Sequence, residues 1–248
     1  MQATTAVSIP RVFPRNASAD HRFYVGTAIV ALAIAAVGFL PGLIDGSSRR
    51  GPLTPLAAVH AAAFTGWLLL YLVQTLLAST GNIRVHRRLG VVGVVLAVVM
   101  IVLGYQATIE MVRRGFDLSG DLDRRGPVML QTPFQLVGML VFGGLVLAAV
   151  LNRRRPAVHK RLMWLAMPPL LMAAVVHAIG HFGLSGIVAP LMNFLLLSAN
   201  AVHDRIVHGR MHPVSLWGAV FFIVLGNILA AVVAPNPTWH RFVLWLAS

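Results

Sequence analysis

Residues 89–109 read LGVVGVVLAVVMIVLGYQATI, twenty-one consecutive positions without a charge. At about 1.5 Å of rise per residue, a helix of that length spans roughly 30 Å, the thickness of a bilayer's hydrocarbon core. Working outward, six more runs of the same kind appear, at about Phe23–Leu43, Leu56–Ser79, Leu130–Leu151, Leu162–Gly180, Leu184–Val202 and Val214–Val233. The 248 residues are 58% hydrophobic and 11% charged, with a mean hydropathy of +0.79, which is more apolar surface than a soluble domain can cover. The fold expected is therefore all-α: a polytopic membrane helical bundle of seven transmembrane helices. Three arginines precede the first run, as in a signal peptide, but the run is longer than an h-region of about 7–15 residues and reads as a retained anchor. With no cysteine, the chain has neither disulfides nor thiolate ligands, and a metal would have to use His, carboxylate, Met or amide oxygen.

Charge sets the orientation. With the N-terminus inside, thirteen of the twenty basic residues fall on inner segments, among them Arg84, Arg87, Arg88, Arg153, Arg154, Arg155, Lys160 and Arg161. The outer loop Met111–Met129 mixes four arginines with Asp117, Asp121 and Asp123. The positive-inside rule thus predicts N-in, C-out. The net charge of +13 is then a topology signal with some attraction to anionic lipid, and no nucleic-acid partner is expected, because the basic residues are dispersed and lack interleaved aromatics. Residues 1–22, with Pro10 and Pro14, are expected to form a flexible cytoplasmic tail, and 23–248 a single membrane domain. The outer loop reads as a solvated connector.

A short pattern recurs: Val85-His86-Arg87-Arg88-Leu89, Val158-His159-Lys160-Arg161-Leu162 and Val202-His203-Asp204-Arg205-Ile206. The first two copies open odd-numbered helices, so helices two and three are expected to duplicate as helices four and five, a repeat device common in membrane folds. Basic residues at a helix end snorkel to headgroups, and anchoring accounts for most of this pattern. The remaining reading makes His86 and His159 inner-side ligands or proton carriers. The cluster His203, Asp204, His208 and His212 is expected to be a solvated loop, with Pro213 marking the next helix start.

The phrases VHRRLG and VHKRLM at helix starts resemble those of largely uncharacterised bacterial multi-span membrane proteins, including small proteins associated with assembly of haem-copper oxidases. The hairpin from His60 to Tyr105 is also similar in layout to b-type transmembrane cytochromes. Those resemblances imply a bacterial inner-membrane protein with haem b and a membrane redox or oxidase partner. Helix four has no His matching His60, so the four-ligand pattern of a two-haem cytochrome is incomplete.

Candidate chemistry gathers in the outer leaflet. His60 lies about 8 Å into helix two, and His177 and His181 come about 25 Å and one further turn beyond Lys160 on helix five. His177 and His181 are spaced i, i+4, on one helix face, as are Gln106 and Glu110 on helix three. Polar groups at such depth are costly unless partnered. Two chemistries follow. In one, His60 and either His177 or His181 are axial ligands of a haem b for electron transfer, lined by Phe64, Trp67, Tyr105 and Phe182. In the other, the three histidines hold one Zn, Cu or Fe ion, Gln106 supports them and Glu110 acts as general base, which resembles in outline the seven-helix hydrolases that use three histidines. A third class has no cofactor and makes the chain an assembly factor or small-molecule carrier, its glycines Gly138, Gly143, Gly144, Gly180, Gly183 and Gly186 permitting close helix approach. Lys160, the single lysine, stands at a helix end, which excludes a mid-membrane retinal Schiff base.

Overall fold

The computed structural model describes residues 17–46, 52–118, 120 and 128–248. The expected tail up to residue 16 and much of the expected outer connector lie outside the described residues. Among the described residues every regular element is a helix: α1 (Ala17–Ile44), α2 (Pro55–Ser79), α3 (Ile83–Arg114), α4 (Val128–Leu151), α5 (Pro156–Leu165), α6 (Pro168–His181), α7 (Val188–His208), α8 (Pro213–Ile228), a π turn at Leu229–Val233 that continues α8, and α9 (Pro237–Ala247). Six segments are long and apolar enough to cross a membrane: α1, α2, α3, α4, α5 with α6, and α8 with its π turn. The chain is a multi-pass membrane protein by that measure. The 21-residue α7, which corresponds to the sixth expected span, is not among the six, and it carries His203, Asp204 and Arg205 in its last turns.

The helices are sorted in reverse of a soluble protein. On α3 the side chains of Val91, Val95, Val98 and Val102, spaced by four and three, are each more than half exposed, while Gly93, Ala97, Met100, Gly104 and Ala107 on the other side are buried. Large β-branched residues thus meet lipid, and small ones let the neighbouring helix approach. The core they enclose holds Tyr24, Trp67, Met100, Phe142, Trp164, Met167 and Leu171. A Cβ at Gly38 of α1 would run into the backbone of Ala174 on α6, whereas Gly138 and Gly144 of α4 face open space. Of the helix-four glycines singled out above, Gly143 alone is in tight contact, with the Cδ1 of Ile101 on α3.

Four boundaries depart from the sequence reading. The helix expected from Leu162 is broken, because Pro168 and Pro169 supply no N–H and the Leu170 amide turns to the Met167 carbonyl at 3.0 Å. Helix α1 starts at Ala17, so Asp20, His21 and Arg22 belong to its first turns. Helix α7 runs six residues past Val202, to a left-handed Gly209, and its His203 and Asp204 are buried. The short α9 has no counterpart among the expected runs; its Phe242 ring touches both Trp239 and Trp245, and it docks on α4 through Trp239 Nε1 donating to Thr132 Oγ1 at 2.9 Å.

Two outcomes are expected. Gly38→Leu pushes backbone from backbone and destabilises the detergent-solubilised protein by about 1–3 kcal/mol, whereas Gly144→Ala, with nothing nearby, leaves the melting temperature unchanged. Equal melting temperatures for both variants would contradict the α1–α6 packing.

Candidate metal centre at the basic end

The three copies of the recurring pattern meet at one end of the bundle, where α1, α3, α5 and α8 begin and α2, α4 and α7 end. In the first copy, His86 Nδ1 bonds the Gln74 carbonyl of α2 at 3.3 Å, and Gln74 Nε2 returns a bond to the His86 carbonyl at 3.1 Å. In the second, His159 Nδ1 bonds the Ala149 carbonyl of α4 at 2.8 Å. Each histidine therefore ties its helix to the one before it in the same way. Their rings lie 6.3 Å apart, nearly perpendicular.

The next two residues of the second copy reach the third. Arg161 and Asp204 form a buried two-point ion pair: Arg161 Nε donates to Asp204 Oδ2 at 3.0 Å, and Nη2 pairs with Oδ1. Asp204 Oδ2 also accepts from Ser215 Oγ at 2.6 Å and from the His212 amide at 3.2 Å, so the carboxylate joins α5, α7 and α8. Alongside, Tyr24 donates to Asn200 Oδ1 at 3.0 Å and Asn200 Nδ2 to the Arg161 carbonyl at 3.4 Å. His212, in the turn before α8, is pushed below the ordinary imidazole range by burial and then by the positive charge of Arg161. Kept neutral, its Nδ1 accepts from the Val214 amide at 3.1 Å and caps α8.

Lys160 turns to Asp20 of α1 and pairs with Oδ2. The other oxygen of that carboxylate, Oδ1, takes His203 Nε2 at 2.8 Å and His208 Nε2 at 3.0 Å. Phe23 stacks on the His203 ring at 4.0 Å and 13°, which fixes its plane. One oxygen of Asp20 and one nitrogen from each histidine all lie within 4.8 Å of one another. Two imidazoles and a carboxylate so arranged make the ligand set of a transition-metal ion with open positions. The same atoms, closed by protons, make a hydrogen-bonded ion cluster. The expectation of a solvated loop here is overturned, because His203 and Asp204 are buried and α7 is helical through His208.

The residues expected in the outer leaflet sit apart from this cluster. His60 stacks on Phe64 at 4.1 Å, with its Nδ1 buried and without a hydrogen-bond partner. His177 packs on Phe39 of α1 at 4.8 Å, and its ring is 6.2 Å from that of His181. Gln106 and Glu110 line a shallow hollow with Leu56, Tyr105, Ile109, Arg113 and Leu246. Of the aromatics named as a lining, Phe64 touches His60, Trp67 packs edge-on against Phe142 at 5.1 Å, and Tyr105 and Phe182 are exposed. Among the described residues, the three-residue set with ligand atoms in mutual reach is Asp20, His203 and His208, and not His60, His177 and His181.

Asp20 escaped the sequence reading because it was placed in the tail, and His203 and His208 because a cluster of His, Asp and Arg between apolar runs reads as a loop. The recurrence points to His203 alone, beside an acid, Asp204, at the position where the other copies carry Arg87 or Lys160; Asp20 and His208 lie outside the copies. No family model matches the chain, and neither a curated protein nor a solved structure is significantly similar to it.

Proposed function

We propose that this protein is a seven-crossing bacterial inner-membrane protein that binds a divalent transition-metal ion at Asp20, His203 and His208. The observation that carries the reading is the convergence of two imidazole nitrogens on one carboxylate oxygen, at 2.8 and 3.0 Å, inside a membrane bundle. Carrying each ring's proton on Nδ1 in place of Nε2 frees both nitrogens as ligands for metal–ligand bonds of about 2.0–2.2 Å. Lys160 pairs with Oδ2 and leaves Oδ1 to the ion, the usual service of an outer hydrogen bond. Two histidines and one carboxylate suit Fe(II) or Zn(II), with positions left for water or a substrate. Under the positive-inside rule the basic end faces the cytoplasm, so the ion exchanges with the cytoplasmic pool.

A second reading keeps the outer histidines as a haem b or metal site for electron transfer to a membrane redox partner. What favours it is the orphaned Nδ1 of His60, since an unpaired polar atom buried in a bilayer is costly. Purified protein with a Soret band that is lost in His60→Ala would establish that reading; a colourless preparation removes it.

Two measurements test the main one. The protein in lipid nanodiscs should take up about one equivalent of Zn(II), and Asp20→Asn or His203→Ala should weaken uptake at least tenfold, consistent with loss of one of three ligands. Unchanged uptake in both variants would leave the cluster as an ion-paired helix joint. Separately, cysteine introduced at Arg154 should resist an impermeant thiol reagent in intact spheroplasts, and cysteine at Ser248 should react. The opposite pattern reverses the orientation.

A further inference from the structure

The His86 and His159 pair is left over once the Asp20 cluster is assigned, and its chemistry differs. We propose that His86 and His159 form a second metal site, for a single copper(I) ion held between the α2–α3 and α4–α5 hairpins. A backbone carbonyl only accepts, so the bonds to Gln74 and Ala149 place the proton on Nδ1 of each ring. Nε2 of each is then an unprotonated lone pair directed away from its own hairpin's carbonyl, the form in which imidazole binds metals. Among the described residues neither Nε2 has a hydrogen-bond partner. A clasp between hairpins needs Nδ1 alone, so the structural role leaves both Nε2 atoms unused.

The spacing suits one ion. With metal–nitrogen bonds of about 2.0–2.1 Å and the ring centre about 1.1 Å behind the nitrogen, two imidazoles on opposite sides of an ion have centroids roughly 6.3 Å apart. The observed separation is 6.3 Å, with the planes at 85°, which keeps the two rings from clashing. Two neutral donors that an ion at this spacing would draw into line match copper(I), which accepts low coordination. Its single charge is also easier to accommodate beside Arg84, Arg87, Arg88 and Arg153 to Arg155 than a divalent ion's. Gln74, whose Nε2 is committed to the His86 carbonyl, has its Oε1 buried with no partner, an acceptor that a water drawn in with the ion satisfies.

The test is anaerobic copper(I) titration of the full chain in nanodiscs against a chromophoric chelator. His86→Asn and His159→Asn keep an amide N–H near the Nδ1 position and remove Nε2, so the hairpin clasps persist and the ligands do not. Each variant should lower copper(I) affinity at least tenfold, the double variant no further than either single one, and Asp20→Asn not at all. X-ray absorption of the wild-type complex should show two nitrogen neighbours. Asn variants that bind copper(I) within twofold of the wild type overturn the site. Loss in Asp20→Asn with retention in both Asn variants also overturns it, by placing the ion in the Asp20 cluster.

Discussion

A guanidinium and a carboxylate taken out of water within a few residues of a bilayer must find each other, and the basic end of this protein is built around that demand. Burying either charge alone costs several kcal/mol, and the mutual attraction offsets it only when geometry is good and the spare lone pairs are filled. Arg161 and Asp204 meet both conditions: a two-point contact, then Ser215 and the His212 amide on the remaining acceptor sites. The pair fixes α5 against α7 and α8. With α5 so placed, the residues on either side of Arg161 inherit their partners: Lys160 faces Asp20 of α1, and His159 faces His86 of α3. Three consecutive side chains of one helix start thus reach three different helices.

The membrane class and most spans are legible because they rest on length and apolarity, which are local properties of the chain. Residues 89–109 announce a helix without help from any neighbour. The candidate site is legible only in fragments. The recurring pattern appears in the sequence, but whether Asp204 meets water or Arg161 depends on helix packing that apolar runs do not encode. Asp20 is the sharpest case, since four residues before Tyr24 it reads as the end of a polar tail, and only the approach of α5 and α7 makes it the half-buried partner of Lys160 and His203. The double proline at 168 and 169 was readable and was overlooked, because the surrounding run is apolar enough to hide a break.

The two ends of the bundle handle their histidines differently. At the basic end five imidazoles are oriented by a partner: a carbonyl for His86 and His159, a carboxylate for His203 and His208, an amide for His212. At the other end His60 packs on Phe64 and His177 on Phe39, while His240 Nε2 bonds the Ala234 carbonyl at 2.6 Å. Hydrogen bonds fix a ring's tautomer as well as its position, whereas stacking fixes position alone.

The proline pair also divides the molecule mechanically. A continuous helix transmits bending and rotation through its ladder of backbone bonds, but here the ladder stops at Met167, and Pro168 and Pro169 contribute no rung. Helix α5 is clamped by its ion pairs, whereas α6 is gripped by α1 through the close approach at Gly38. The charged joint and the close helix contact are therefore carried by two helices, α5 and α6, that share no continuous run of backbone bonds.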